Sequence, residues 1–239
     1  MRAVVLILCG IFVMNDRVAA QPLPAGKLRY LRPAGDGWTS ECVFTIAKRN
    51  DGWSIAGVTE RGPLRLTLEA AYGPKDALAT SVLTIRSGDK ESISIVTARD
   101  GAARVQLWEQ PLKMLQVPAG VIVTSAPDWT DTLLLCARYD HAAAGKQTFS
   151  ALWYHPEQSV QLLKLSIERQ GYDTIRHDVK DVKLARFTIH LRGNSQYAAW
   201  ATMEGTMVRL IPLPAKEKQR SGLVLEGYEK TGAVGLSAP

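Results

Sequence analysis

From Trp38 onward the chain is written in short segments in which apolar and polar residues alternate, separated by glycine, aspartate and asparagine. Residues 38–48 alternate with period two, as a half-buried strand does. Arg49-Asn50-Asp51-Gly52 then carries the Asp-Gly dipeptide of a tight hairpin, and residues 53–60 return. Leu64, Leu66 and Leu68 alternate with Arg65, Thr67 and Glu69, which predicts a one-sided strand. Residues 81–86, the turn Ser87-Gly88-Asp89 and residues 91–98 form a second hairpin pattern. Asp100-Gly101 leads into residues 104–109. The first half therefore reads as a meander of about six strands with turn residues where turns are needed.

The period changes once. Ser125-Ala126-Pro127-Asp128 has the order of a helix start: a serine N-cap, proline in the first turn and an acid three residues after the cap. Trp129, Leu133, Cys136 and Ala137 follow at helical spacing through about Tyr139. The stretch before it, 111–124, is ambiguous, with 121–123 as a short strand. Strand patterns resume at 147–154, 160–168, 183–191, 196–203, 206–213 and 222–228, with Arg192-Gly193-Asn194-Ser195 and Glu204-Gly205 as turns. The fold class expected is mainly β: a curved antiparallel sheet or half-barrel of about a dozen strands, with one central helix as plug or cap.

The N-terminus changes the setting. Arg2 precedes the apolar run Ala3–Met14, then come Asn15, Asp16, Arg17 and the small residues Ala19 and Ala20 before Gln21. These are the parts of a secretory signal peptide, and the run is shorter than the about 20 residues a spanning helix needs. The organisation expected is a signal peptide at 1–20, an extended Pro- and Gly-rich lead-in at 21–37, one β-rich domain at 38–229 and a frayed tail at 230–239. After cleavage no transmembrane anchor is expected, and the location expected is periplasmic or secreted. The apolar and charged fractions, 46% and 22%, are those of a globular protein. The net charge of +6 is modest, and its basic residues are interleaved with acids, as in Lys216-Glu217-Lys218-Gln219-Arg220, so no nucleic-acid partner is expected.

Little in the chain points to catalysis. His141, His155, His177 and His190 lack metal-ligand spacing, and there is no Cys-x-x-Cys. No Gly-x-Ser-x-Gly elbow or phosphate-binding glycine loop occurs. His177 and Asp178 are neighbours that an extended backbone would turn to opposite faces. No catalytic residue, metal ligand or cofactor is assigned. Cys42 shares a strand face with Phe44 and Ile46, and Cys136 lies on the apolar side of the helix. In an exported protein they are either a disulfide or two buried thiols. A bridge closing so long a loop is worth roughly 4.5 kcal/mol in the chain-entropy view. Of the six tryptophans, Trp53, Trp108, Trp129, Trp153 and Trp200 are candidates to line an apolar ligand site, with core packing as the alternative for each.

The stretches Gly37-Trp38-Thr39-Ser40-Glu41-Cys42, Lys146-Gln147-Thr148-Phe149 and Gly222-Leu223-Val224-Leu225-Glu226-Gly227-Tyr228 resemble those of uncharacterised exported bacterial β-rich families. The layout is similar to that of the periplasmic lipoprotein carriers, in which a curved antiparallel sheet wraps an apolar cavity closed by helices. That resemblance implies a non-enzymatic envelope protein binding an apolar or lipid-like ligand. The alternative is a structural or protein-interaction module with an envelope protein as partner, and an exported hydrolase comes third. The single helix here departs from the carriers' several, which weighs against a large lipid cavity.

Overall fold

The computed structural model of the chain describes residues 23–34, 37–49, 52–73, 78–125, 129–155, 159–214 and 222–230. The expected signal peptide, the charged loop at 216–220 and the tail beyond 230 lie outside them. Among the described residues there are fifteen strands in one sheet and one α-helix.

The stretch expected as a lead-in supplies the first strand, β1 (Gly26–Ala34), which pairs with β2 (Gly37–Arg49) on one side. The meander continues through β3 (Gly52–Arg61), β4 (Leu64–Tyr72), β5 (Leu78–Ser87), β6 (Lys90–Arg99), β7 (Ala102–Gln106) and β8 (Lys113–Gln116), each antiparallel to the one before. After β9 (Ile122–Ser125) and the helix α1 (Thr130–Arg138) the second half runs β10 (Lys146–Tyr154), β11 (Val160–His177), β12 (Lys180–His190), β13 (Gln196–Ala201), β14 (Met207–Leu213) and β15 (Leu223–Leu225). β15 pairs with β1, so the two halves join into one sheet whose end strands are β8 and β9. Every pair is antiparallel except β9 with β10, which is parallel.

Those end strands are consecutive in the chain, and this forces the curvature. Laid flat at about 4.8 Å per strand, the sheet would hold its ends on the order of 65 Å apart. The five residues 117–121 between β8 and β9 allow at most about 20 Å. The sheet therefore curls until its ends nearly meet, without closing into a barrel. β9 comes to rest against β5. There the Tyr72 hydroxyl donates to the Val123 carbonyl at 3.4 Å, and Ser81 Oγ and Tyr154 OH hydrogen-bond at 2.9 Å.

The helix is a plug. Every residue from Thr130 to Ala137 is buried, which is more than two full turns with no wet side. Its principal contacts are with β9, β11 and β14. The expected serine cap is not used: Ser125 ends β9, the residue before the helix is Trp129, and Thr132 Oγ1 donates to the Trp129 carbonyl. At the other end Arg138 donates to the Gly120 carbonyl. Gly205 lies so close that a Cβ there would sit 2.7 Å from the Ala137 Cα, and its φ of +85° also favours glycine. One large apolar cluster joins both halves of the sheet around the helix.

β11 is far longer than expected, 18 residues, and a bulge between Arg169 and Gly171 changes the face its side chains take. Beyond the bulge, Ile175 packs with Leu184, Ala198, Trp200, Val208 and Ile211 in a second, smaller cluster. On β13, Ala199 and Ala201 face the main core while Ala198 and Trp200 face this one, so β13 is covered on both faces.

Candidate functional site

The five candidate tryptophans occupy five different settings. Trp53 is buried in the main core and stacks on Tyr72 at 4.2 Å. Trp153 is buried beneath Arg192, whose guanidinium lies 3.8 Å from the ring centre. Trp129 is half-buried and meets Tyr197 edge-on. Trp200 belongs to the second cluster and donates from Nε1 to Asp173 Oδ2 at 2.7 Å, where Arg186 also reaches the carboxylate. Trp108 is exposed. The interior of the curled sheet is occupied by α1.

The two cysteines share the core without being bonded to each other. Cys42 is the ladder partner of Tyr30, whose hydroxyl donates across the interior to the Met207 carbonyl at 2.7 Å. Burial holds the Tyr30 phenol well above its ordinary value of 10.0, and the nearby Cys42 and Cys136 sulfurs push the same way. Burial likewise pushes the Cys136 thiol up to about 12. Both sulfurs thus lie near the one phenol, while α1 packs chiefly on β9, β11 and β14.

His177 and His141 are held by packing. His177 stacks on Tyr228 at 3.9 Å. Its Nε2 does approach Asp178 Oδ2, at 3.7 Å, because Asp178 sits in the turn at φ 53° and the two residues are not both extended. His141 leans on Tyr139 and Phe187, and burial, with the Arg169 charge, lowers its pKa. Arg169 itself donates to the His141 carbonyl and the Tyr172 hydroxyl. Among the described residues no three His, Cys, Asp or Glu side chains gather into a metal-binding group.

The feature that stands out is on the outside. Ser92 and Ser94 on β6 point inward and are buried, while Ile93 and Ile95 point out and are 41% and 44% exposed. The inward set continues with Val96 and Ala98, so the apolar–polar alternation is inverted over the first half of the strand. Ile95 pairs with Gln106 of β7, and on the same outer face Arg104 pairs with Met114 of β8. The β7–β8 turn adds Trp108 and Leu112. Trp108, Leu112 and Met114 are 39%, 47% and 62% exposed. Five of the nine exposed large apolar residues among the described residues thus fall within β6–β8 and their turn.

The turn is built. Gln106 Nε2 donates to the Gln110 carbonyl at 2.6 Å, the Gln110 amide to the Leu107 carbonyl, and Lys113 Nζ to Gln110 Oε1. Around the patch, Arg86 pairs with Glu91 and Arg99 with Asp100. Arg104, in its middle, has no ion-pair partner among the described residues. Sequence reading picked out Trp108 but passed over Ile93, Ile95, Leu112 and Met114. The available signal was the Ser-Ile-Ser-Ile order of β6, whose phase must match Val96 and Ala98.

No family profile matches the chain, and no curated protein matches it in sequence. Among solved structures the chain is similar to the β-barrel-like protein of the domain of unknown function DUF1849 from Brucella abortus. The two share 8% identity and a TM-score of 0.52 over 83% of this chain and 92% of that one. A DUF1089-family protein from Pseudomonas aeruginosa aligns at 14% identity and a TM-score of 0.46, covering 74% of this chain and 92% of that one. The first likeness establishes a shared architecture: a long, curled, nearly closed sheet. Among the described residues no helix is long and apolar enough to cross a membrane.

Proposed function

We propose that this is an exported, non-enzymatic envelope protein that works through its outer surface, as an interaction module, and not by carrying a ligand inside its sheet. The observation that carries this reading is α1: its eight consecutive buried residues fill the interior of the curled sheet, the space an internal apolar ligand would need. The dispersal of the tryptophans supports it, since rings lining one ligand site would converge. The exposed apolar face of β6–β8 supplies the surface. Export is supported by the N-terminal pattern of a basic residue, an apolar run and small residues.

Titrating the protein with monomeric fatty acyl ligands while following tryptophan emission tests the choice. The expected result is no saturable change. Stoichiometric binding that protects buried core positions from solvent exchange would restore the carrier reading and sink this one.

A further inference from the structure

We infer that the outer face of β6–β8 docks on an anionic lipid surface. The inference rests on the surface-acting reading above and names what that surface meets. Three observations carry it. The exposed apolar groups are Ile93, Ile95, Leu112, Met114 and a tryptophan, Trp108, at a turn. Tryptophan prefers the boundary between headgroups and hydrocarbon, and an apolar face with basic residues beside it binds the membrane plane. The charge is complementary. The acids Glu91 and Asp100 are each held by an arginine, while Arg104 stands in the patch with no ion-pair partner among the described residues. Lys90 and Lys113 share by register the side of Ser92 and Val105, and the exposed acids Asp89 and Glu109 lie in the adjoining turns, so Arg104 is the charge the outer face itself presents.

The third observation separates a bilayer from a partner strand. β8 is the open edge of the sheet, but it is four residues long, begins with Lys113 and is preceded by Pro111. Those are devices that block strand addition. By register Ile93, Ile95 and Met114 project from the face, not along the edge, so the face is what meets a partner.

The test is co-sedimentation of the purified chain with vesicles of phosphatidylglycerol and, separately, of phosphatidylcholine, at low and high salt. The N-terminal apolar run is common to all variants, so differences between variants read the patch. The chain should bind phosphatidylglycerol vesicles, weaken with salt and shift the Trp108 emission to the blue. The triple variant I95S/W108S/M114S should lose about tenfold or more in affinity with its melting curve unchanged. Arg104→Gln alone should cost roughly fivefold, the effect of one cation near the surface. Equal binding by every variant, equal binding to both lipids at all salt concentrations, or no binding would each overturn the inference. Crosslinking of the patch to an envelope protein with no vesicle binding would also overturn it while leaving the surface-acting reading in place. Internal acyl-ligand binding would overturn that reading instead.

Discussion

β8 and β9 are neighbours in sequence, equal in length and opposite in fate. All four residues of β9 are buried, between a parallel partner, β10, and the inner face at β5. β8 has one partner, β7, and three of its four residues are exposed. A strand's burial here is decided by its place in the ladder order, which is set by a crossing of five residues. The chain seals one end of the sheet inside and leaves the other outside, and the exposed apolar face belongs to the open end.

The hardest test of that contrast is a matched pair of charges. Val123→Asp places a carboxylate in the sealed end and should cost about 4 kcal/mol or more, enough to threaten folding. Met114→Asp at the open end should stay within about 0.5 kcal/mol. Urea denaturation of both would break the comparison if the two costs came out alike. Next in size, Leu134→Ala removes fully buried helix packing and should cost about 2–5 kcal/mol. A value below about 1 kcal/mol would mean that α1 is not the plug described.

Tyr154→Phe removes the buried bond to Ser81 that ties β10 to β5, and leaves the serine hydroxyl wanting a partner. The expected loss is about 1–3 kcal/mol. A smaller, chemical readout concerns the helix and β2. In the native protein Cys42 and Cys136 should resist a thiol reagent at pH 8, and both should react on unfolding without reductant. Absence of both thiols after unfolding would show that the native protein forms the bridge.

The smallest effect is a pH slope. The unfolded chain protonates His141 near its ordinary value of 6.5, while burial and Arg169 hold the folded value lower, Asp140 opposing them. The unfolded state therefore binds more protons as pH falls through about 6.5, and stability declines there. Above that range neither state is charged and the contribution vanishes. His141→Gln should flatten the melting temperature between about pH 7 and pH 5 relative to the parent. An unchanged slope would assign it to other groups.

The sheet and its hairpins could be read from the sequence because alternation and turn glycines are local. Leu66 and Leu68 declare their face, and Asp51-Gly52 declares a turn between β2 and β3. What escaped depends on distant partners. β1 looked like a lead-in because Pro33 and the neighbouring glycines mask its alternation; it pairs along its length with β2 and by two rungs with β15, far along the chain. The outer half of β11 carries Tyr172, Asp173, Thr174 and Arg176 with one aliphatic residue, Ile175, and is a strand because β12 pairs with it. β8 is too short and polar to register. The inverted phase of Ser92-Ile93-Ser94-Ile95 shows only when it is counted against Val96 and Ala98 of the same strand, and β5 agrees by setting the buried Ser81 opposite Val96. The tryptophans were visible as residues, but their settings were not.

The seam between β1 and β15 also sets an order of events. Tyr30 pairs with Leu225, and the Arg29–Glu226 ion pair and the Glu226 amide bond to the Arg29 carbonyl extend the same zipper. These contacts join residues almost two hundred positions apart, whereas the meander from β1 to β8 is made of nearest-neighbour hairpins. Local pairings form quickly, and distant ones wait on the closing of a long loop. A chain delivered N-terminus first can build the meander as it arrives, with β1 left as an unpaired edge until the last strand follows. For that interval the nascent protein has two open edges instead of one. A holding factor would have its best opportunity there, and a truncation ahead of Leu223 would make the second edge permanent.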